Sequence, residues 1–203
     1  MNITPDTLLD PQAYALVRPA YRARMIDVRR TRTVALGPAM RLQFEDAGCV
    51  AYQVQEVVRA ERITDRGEVQ REIDRYAQLL PDGTSWRATL MIELPDARRR
   101  ARELPALSDA AHHVYVERPG RQLVLASVNA DLPDRHRGRP SAVHFLNFAL
   151  PPSFRTALAA GDEVTLGCAH PAYAHRLTIP AALLERLVGE VVCPEAAPER
   201  LAA

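Results

Sequence analysis

The segment Thr33-Val-Ala-Leu-Gly-Pro-Ala-Met-Arg-Leu-Gln-Phe-Glu45 decides the fold class of this 203-residue chain. Its side chains alternate on both sides of Gly37-Pro38, and such alternation places every second residue on one face of a β-sheet. A glycine followed by a proline is a strong turn signal. The segment therefore predicts an antiparallel hairpin, with a further turn at residues 46–48.

Similar alternation predicts more strands downstream of this hairpin. They cover residues 86–94, 114–116, 121–127, 142–150, 164–168 and 175–179. Apolar spacings of three and four residues predict helices instead. These cover residues 5–30 (two consecutive helices or one kinked helix), 52–63, 68–80, 95–103, a short segment after Ser153, and 181–192.

The order of these elements indicates an α+β protein. We expect a mostly antiparallel sheet of about six to eight strands, with N-terminal, central and C-terminal helices packed on it. A chain of this length forms one domain, which we place at residues 1–192. Residues 193–203 are rich in Ala, Pro and Glu and are predicted to be a disordered tail.

The basic side chains exclude several catalytic chemistries. All 26 are arginine, and the chain has no lysine. Schiff-base catalysis, pyridoxal phosphate anchoring and the P-loop phosphate clamp each need a lysine amine, and arginine stays protonated near neutral pH. The nine glycines never take the GxGxxG spacing of a dinucleotide site, and the signatures HExxH, GxSxG and the EF-hand loop do not occur.

Charge, hydropathy and cysteine usage predict the setting of the protein. The formal net charge of +1 argues against a nucleic-acid-binding surface. The longest mostly apolar stretch, residues 141–150, is too short to span a bilayer, and residues 1–9 lack the features of a signal peptide. The three cysteines are scattered without a CxxC pair, which is typical of a reducing compartment. We therefore expect a cytoplasmic protein that binds neither nucleic acid nor membrane and has no cysteine-ligated cofactor.

The predicted helix at residues 52–63 carries the first candidate site. Glu56 and Arg59 lie on it, and Glu61 follows Val54 by seven residues, so that its carboxylate points along the apolar stripe. An inward-pointing carboxylate is costly unless a partner compensates its charge. Either Glu56 or Glu61 pairs with a buried arginine, or one of them lines a pocket as a ligand or an acid–base group.

Two histidines supply further candidates. His144 shares a strand face with core residues, so it is either a hydrogen-bonded core group or a metal ligand or base. His170 and Tyr173 lie in residues 168–175, which we predict to be a loop between two strands. They either cap a sheet edge or, if the hairpin is tight, bring His170 and His175 to one metal ion.

Three other polar residues are weaker candidates. Adjacent residues of a strand point to opposite faces, so His112 and His113 are not expected to share an ion. Glu93 lies on the polar face of its strand and is expected to be exposed to solvent.

Six strings of the sequence occur together and in order. They are Val34-Ala-Leu-Gly-Pro38, Tyr52-Gln-Val-Gln-Glu56 with Arg59-Ala-Glu-Arg62, Leu80-Pro-Asp-Gly83, Ala88-Thr-Leu-Met-Ile-Glu93, Ser141-Ala-Val-His-Phe-Leu146 and His170-Pro-Ala-Tyr173. As a set they resemble a bacterial family classed as a domain of unknown function, over nearly the whole chain. Members of that family are often encoded beside a rubrerythrin and an iron–sulfur protein similar to a heterodisulfide-reductase subunit. The resemblance therefore implies a role in a cytoplasmic redox or peroxide-response system.

Two functions of different classes follow from these observations. The first is a cofactor-free accessory or binding protein that docks on, or matures, a neighbouring rubrerythrin or iron–sulfur protein. The second is a small-molecule enzyme with a pocket lined by Glu56, Arg59, His144 and His170, in which arginine holds an anionic substrate. A metal ion held by His144, His170 and Glu56 is a variant of the second function. The sequence leaves the oligomeric state open.

Overall fold

The computed structural model describes residues 3–118, 120, 122–128 and 140–192. The predicted tail at 193–203 lies outside the described residues, as does most of the polar stretch before Pro140. The described helices are α1 Pro11–Thr31, α2 Ala47–Ala60, α3 Arg66–Ala77, α4 Ala97–Ala106, α5 Pro152–Ala159 and α6 Ala181–Val192, with two 3₁₀ helices at Pro5–Thr7 and Ala110–His113.

The described strands form two antiparallel sheets. They are β1 Thr33–Leu36, β2 Met40–Phe44, β3 Ser85–Ile92, β4 Val114–Arg118, β5 Gln122–Leu125, β6 Ser127–Val128, β7 Val143–Ala149, β8 Thr165–His170 and β9 Tyr173–Thr178. Their order is β1-β2-β3-β7-β6 in one sheet and β5-β4-β8-β9 in the other. The predicted α+β class is confirmed, but the strands divide between two sheets instead of forming one.

The predicted hairpin at the start of the first sheet is confirmed. Strands β1 and β2 pair in the register Thr33↔Gln43 to Leu36↔Met40. Gly37 follows β1 with φ of 71°, a left-handed conformation that glycine adopts without steric cost. The turn therefore fixes the register that the alternation of side chains requires.

The main core lies between the two sheets and the C-terminal helices. It joins Leu42 and Trp86 of the first sheet to Leu166 of the second and Leu187 of α6. Trp86 is the one tryptophan of the chain; it is 1% exposed and donates a hydrogen bond from Nε1 to the Leu187 carbonyl at 2.9 Å. This bond ties α6 to the sheet.

A second apolar cluster covers the opposite face of the five-stranded sheet. Val54 and Val58 of α2 and Ile73 of α3 form it, and Phe145 of β7 packs against it. Alternation along a strand therefore sends Phe145 toward α2 and α3, while Leu146 of the same strand enters the main core. The five-stranded sheet thus separates two layers of the protein.

Helix α2 begins five residues earlier than the sequence pattern predicts. Asp46 caps it, because its Oδ1 accepts a hydrogen bond from the Cys49 amide at 2.7 Å. Helix α1 continues through Pro19 as one 21-residue helix and follows the short 3₁₀ helix Pro5–Thr7. The segment therefore contains two consecutive helices, which is the first of the two alternatives predicted for it.

Candidate functional site

The β1–β2 turn and the β8–β9 turn meet at one side chain, Tyr173. Its Oη donates a hydrogen bond to the Leu36 carbonyl at 2.6 Å and accepts one from the Ala39 amide at 2.9 Å. Burial raises the pKa of this phenol, so the hydroxyl keeps the proton that it donates. Tyr173, at the start of β9, therefore ties the second sheet to the backbone of the β1–β2 turn.

Gly37 allows this close approach. A Cβ atom at that position would lie 2.6 Å from Cγ of His175 and 2.7 Å from Oη of Tyr173, closer than carbon atoms can pack. The rings of Tyr173 and His175 lie 4.5 Å apart between centroids. The junction is thus closely packed, and its backbone groups are paired.

A cleft of about 430 Å³ opens between this junction and α4. Its floor consists of Pro38, Ala39, Ala106, Leu107, Ala172 and Tyr173, and its polar lining consists of Arg99, Arg102, Glu103 and His175. Ala172 belongs to the two-residue turn between β8 and β9. The predicted pair of strands joined at Pro171 is confirmed, but the connection is shorter than residues 168–175, because His170 already pairs with Tyr173.

The polar side of the cleft is a three-residue ion cluster on α4. Arg99 binds the Glu103 carboxylate with both Nε and Nη2, at 3.1 and 2.9 Å, and Arg102 donates from Nη2 at 2.9 Å. Hydrogen bonds from these two guanidinium groups lower the pKa of Glu103 to about 2. Two positive groups therefore face one negative group, and the lining of the cleft carries an excess of positive charge.

A second polar cluster lies on the other side of the β8–β9 turn. Asp109 accepts from Nε2 of His170 at 3.1 Å, and its other oxygen lies 3.5 Å from Nε2 of His113. The Ala172 amide donates to Nδ1 of His170 at 3.1 Å. Because Nδ1 is an acceptor, a neutral His170 carries its proton on Nε2 and donates a hydrogen bond from there to Asp109. The ligand atoms of Asp109, His113 and His170 all lie within 4.8 Å of one another.

The sequence analysis found part of this cluster. His170 was a sequence-predicted candidate and belongs to the cluster, and Tyr173 lies across the tight turn from it. Asp109 and the role of His113 were not predicted. The segment before β4 is a 3₁₀ helix and not a strand, so that one turn of helix separates Asp109 from His113. The acidic residue four positions before a histidine was the signal that could have found the pair.

Glu56 and Arg59 belong to a different place, the contact between α1 and α2. Arg18 binds the Glu56 carboxylate with Nε and Nη2, both at 2.8 Å, and Tyr14 donates to it at 2.5 Å. Arg59 adds an ion pair at 3.7 Å. The bonds from Arg18 and Tyr14 lower the pKa of Glu56 to about 2. Glu56 thus forms an ion pair, but its partner Arg18 is partly exposed and not the buried arginine of the predicted alternative.

Glu61 does not point inward as its spacing predicted. It is the C-terminal cap of α2 and is exposed, because the helix ends before the next turn of the apolar stripe. Glu93 is exposed as predicted, and its carboxylate pairs with Nε of Arg41 at 2.6 Å.

His144 lies on the main-core side of the five-stranded sheet. It shares a strand face with Leu146 and Phe148 of that core, and its Nε2 bonds to the Ser141 carbonyl at 3.1 Å. Burial lowers the pKa of His144. Because α2 packs on the opposite face of the sheet, the structure does not bring Glu56 together with His144. Each of Glu56, His144 and His170 instead contacts partners of its own.

The comparisons with known proteins place the chain in a family. Residues 2–191 match the family described as "Protein of unknown function (DUF3501)". The chain belongs to this family. It is also similar to a protein of unknown function from Burkholderia pseudomallei K96243, whose crystal structure has a TM-score of 0.88 and 35% sequence identity, over 94% of this chain and 100% of that chain. No curated protein is significantly similar to the chain.

The fold of this DUF3501 chain also contains a buried carboxylate that the sequence analysis missed. Glu45 is 1% exposed and accepts hydrogen bonds from Thr89 Oγ1 at 2.6 Å, Gln43 Nε2 at 3.0 Å and Gln53 Nε2 at 3.4 Å. Burial raises the pKa of Glu45. Alternation along the hairpin places Glu45 on the same polar face as Arg41 and Gln43, and this polar pattern hid its burial.

Helix α1 of the DUF3501 chain exposes an apolar row. Only Tyr14 and Met25 of its 21 residues are buried. Leu16 is 85% exposed, and Ala20 and Ala23 are exposed four and seven positions later, on the same side of a helix. None of the described helices is long and apolar enough to cross a membrane.

Proposed function

We propose that this DUF3501 protein is a cofactor-free accessory or binding component of a cytoplasmic redox or peroxide-response system. Its partner is the rubrerythrin, or the iron–sulfur protein, that the sequence resemblance implies. The observation that carries the proposal is the exposed apolar row on α1. The proposal rests on a surface, and it needs no catalytic group.

The way α1 is attached supports a docking role. The Arg18–Glu56 pair and the Tyr14 hydroxyl hold one side of the helix to α2, and Met25 packs with Tyr52 near its other end. The row at Leu16, Ala20 and Ala23 therefore stands on a helix that is already ordered. Little conformational entropy is lost when a partner covers such a surface.

The chemistry of the row indicates what covers it. An amphipathic helix commonly binds by placing an apolar stripe into a groove of its partner. Burying one leucine side chain contributes about 1.5–3 kcal/mol, so Leu16 is the natural centre of the contact. Arg22 and Arg24 are exposed around the row, and Arg30 there pairs with the exposed Asp27. The remaining positive charge favours an acidic partner surface and disfavours pairing of two α1 helices.

Co-purification tests the proposal. The tagged full chain is expressed with rubrerythrin or with the iron–sulfur protein, and both the wild type and Leu16→Glu are purified. The wild type is expected to retain its partner, whereas Leu16→Glu weakens binding at least about tenfold, because it removes apolar burial and opposes an acidic surface.

Leu125→Glu is the matched control for this experiment. Leu125 is 58% exposed but lies on β5, so its replacement changes charge and hydropathy equally at a different surface. Recovery of the wild-type chain alone in both pull-downs, or equal loss of partner in the two variants, would contradict the proposal.

A small-molecule enzyme is the second candidate, and the Asp109 cluster favours it. Asp109 holds one histidine in a fixed tautomer and faces a second, His113, that is partly exposed. A carboxylate that orients an imidazole is the arrangement used in general base catalysis. In this version His113 is the acid–base group and Asp109 orients it. His170, whose two ring nitrogens are both hydrogen-bonded, positions Asp109, and Glu56 and His144 have no part.

Asp109→Asn separates the two candidates. As an enzyme, the protein converts a compound from a metabolite mixture, followed by mass spectrometry, and the variant loses at least about a hundredfold in rate. If the protein is a docking component, the Asp109→Asn variant is expected to retain its partner. Elemental analysis of protein purified without chelators tests the metal version. A transition-metal content below about a tenth of an equivalent would contradict it.

A further inference from the structure

We infer that the cleft between α4 and the two turns binds a small organic anion, a carboxylate or phosphate ester with a compact apolar body. The inference goes beyond the docking proposal, because it concerns a different surface and needs no protein partner. Its basis is the pairing of an apolar floor with a positively charged lining.

The floor of the cleft is formed before a ligand arrives. Tyr173 bonds to the backbone of Leu36 and Ala39, and a glycine at position 37 lets the His175 and Tyr173 side chains pack against that backbone. The floor therefore does not have to be ordered on binding. Preformed apolar clefts with a few convergent polar groups are typical of small-molecule sites.

The size of the cleft limits what fits. At about 430 Å³ it lies at the lower end of the range of about 300–1,000 Å³ in which small molecules bind. The lining is mostly apolar, with Pro38, Leu107 and Ala106 among its members. A single aromatic or short aliphatic body suits this volume, whereas a dinucleotide does not.

The charges of the lining select an anion. The guanidinium groups of Arg99 and Arg102 both pair with Glu103, and their side chains remain 56% and 77% exposed. Asp96 bonds to the backbone amide of Arg99. One carboxylate neutralises one of two guanidinium groups, so a ligand anion satisfies the second. Guanidinium groups bind carboxylates and phosphates alike, often through two parallel hydrogen bonds.

Glu103 competes with the ligand for the same donors. The two guanidinium groups are held by Glu103 when the cleft is empty, and a bound anion must take over some of these hydrogen bonds. Removing the charge of Glu103 while keeping its shape therefore strengthens binding. An increase in affinity when the Glu103 charge is removed therefore distinguishes a specific anion site from a row of solvated charges.

NMR titration of ¹⁵N-labelled full-length protein tests the inference. Phenyl phosphate, benzoate and inorganic phosphate are added separately, with benzyl alcohol as the uncharged counterpart. Phenyl phosphate or benzoate is expected to shift the amide signals of Ala39, Ala172, Tyr173 and His175 in a saturable way. Comparing phenyl phosphate with benzoate identifies the preferred anion. Comparing phenyl phosphate with inorganic phosphate shows how much the apolar body contributes to the affinity.

Three variants of α4 decide between specific and general effects of charge. Arg102→Gln is expected to weaken binding of the better probe about tenfold, and Glu103→Gln to tighten it at least about threefold. Arg98→Gln is the matched control, because Arg98 lies on the same helix and outside the cleft lining, and it should leave binding within about twofold. Equal weakening by Arg98→Gln and Arg102→Gln, weaker binding in Glu103→Gln, or equal binding of benzyl alcohol would overturn the inference. Absence of saturable shifts with both organic anions would overturn it as well.

Discussion

Replacing Tyr173 by phenylalanine removes one hydroxyl that serves two backbone groups. The ring still packs against His175, but the Leu36 carbonyl and the Ala39 amide both lose their hydrogen bond to this hydroxyl. Leu36 is 0% and Ala39 6% exposed, so water replaces these bonds poorly. Leaving a buried polar group unsatisfied costs about 1–3 kcal/mol. For the two groups together we expect the free energy of unfolding to fall by about 2–4 kcal/mol.

The measurement is urea denaturation followed by circular dichroism, with thermal unfolding as a second assay. For a domain of this size the loss corresponds to a decrease in Tm of roughly 4–16 °C. Tyr115→Phe is the control, because the structure shows no hydrogen bond from that hydroxyl to the described residues, and it should change stability by less than about 0.5 kcal/mol. A Tyr173→Phe variant as stable as the Tyr115→Phe control would show that the two turns do not depend on this hydroxyl.

Two further predictions concern carboxylates whose pKa values the fold shifts in opposite directions. Burial raises the pKa of Glu45 above its ordinary value of 4.5, so the folded state holds a proton that the unfolded state releases. Wild-type stability should therefore fall as pH rises from 4.5 through the folded pKa, and thermal unfolding across pH should show that Glu45→Gln lacks this loss. The pKa of Glu56 is lowered to about 2, so its contribution is complete above pH 4.5 and is lost as pH falls toward 2. Glu56→Gln should lower the free energy of unfolding by about 1–3 kcal/mol at neutral pH and reduce the loss of stability below pH 4.5. A variant that loses stability below pH 4.5 as the wild type does would refute the role of Glu56.

The sequence predicts the strands and the last helix of this fold well. Alternation at Thr33–Glu45 reflects burial on one side of a hairpin, and the leucine stripe of α6 reflects the core that it covers. The division into two sheets could not be predicted in the same way. Both sheets bury alternate residues, and nothing in the alternation of β4 says that its neighbours are β5 and β8 and not β3.

The candidate site shows where local patterns stop being informative. His170 and Tyr173 were found because a proline between strands signals a turn, whereas Asp109 joins His170 from 61 positions away. Glu56 was selected for its chemistry, yet its partner Arg18 lies on another helix, and no spacing within α2 reveals it. Contacts between elements depend on the packing of the whole chain, which a single sequence does not specify residue by residue.

The hydrogen bond between Trp86 and the Leu187 carbonyl gives the protein an internal optical probe. A lone indole in a dry environment emits at short wavelength, and it shifts to longer wavelength when water reaches it. Because the indole touches the last helix directly, its emission follows the detachment of α6 from the sheet. Fluorescence can therefore measure the rate at which α6 separates from the sheet, independently of the loss of helical structure in the whole protein.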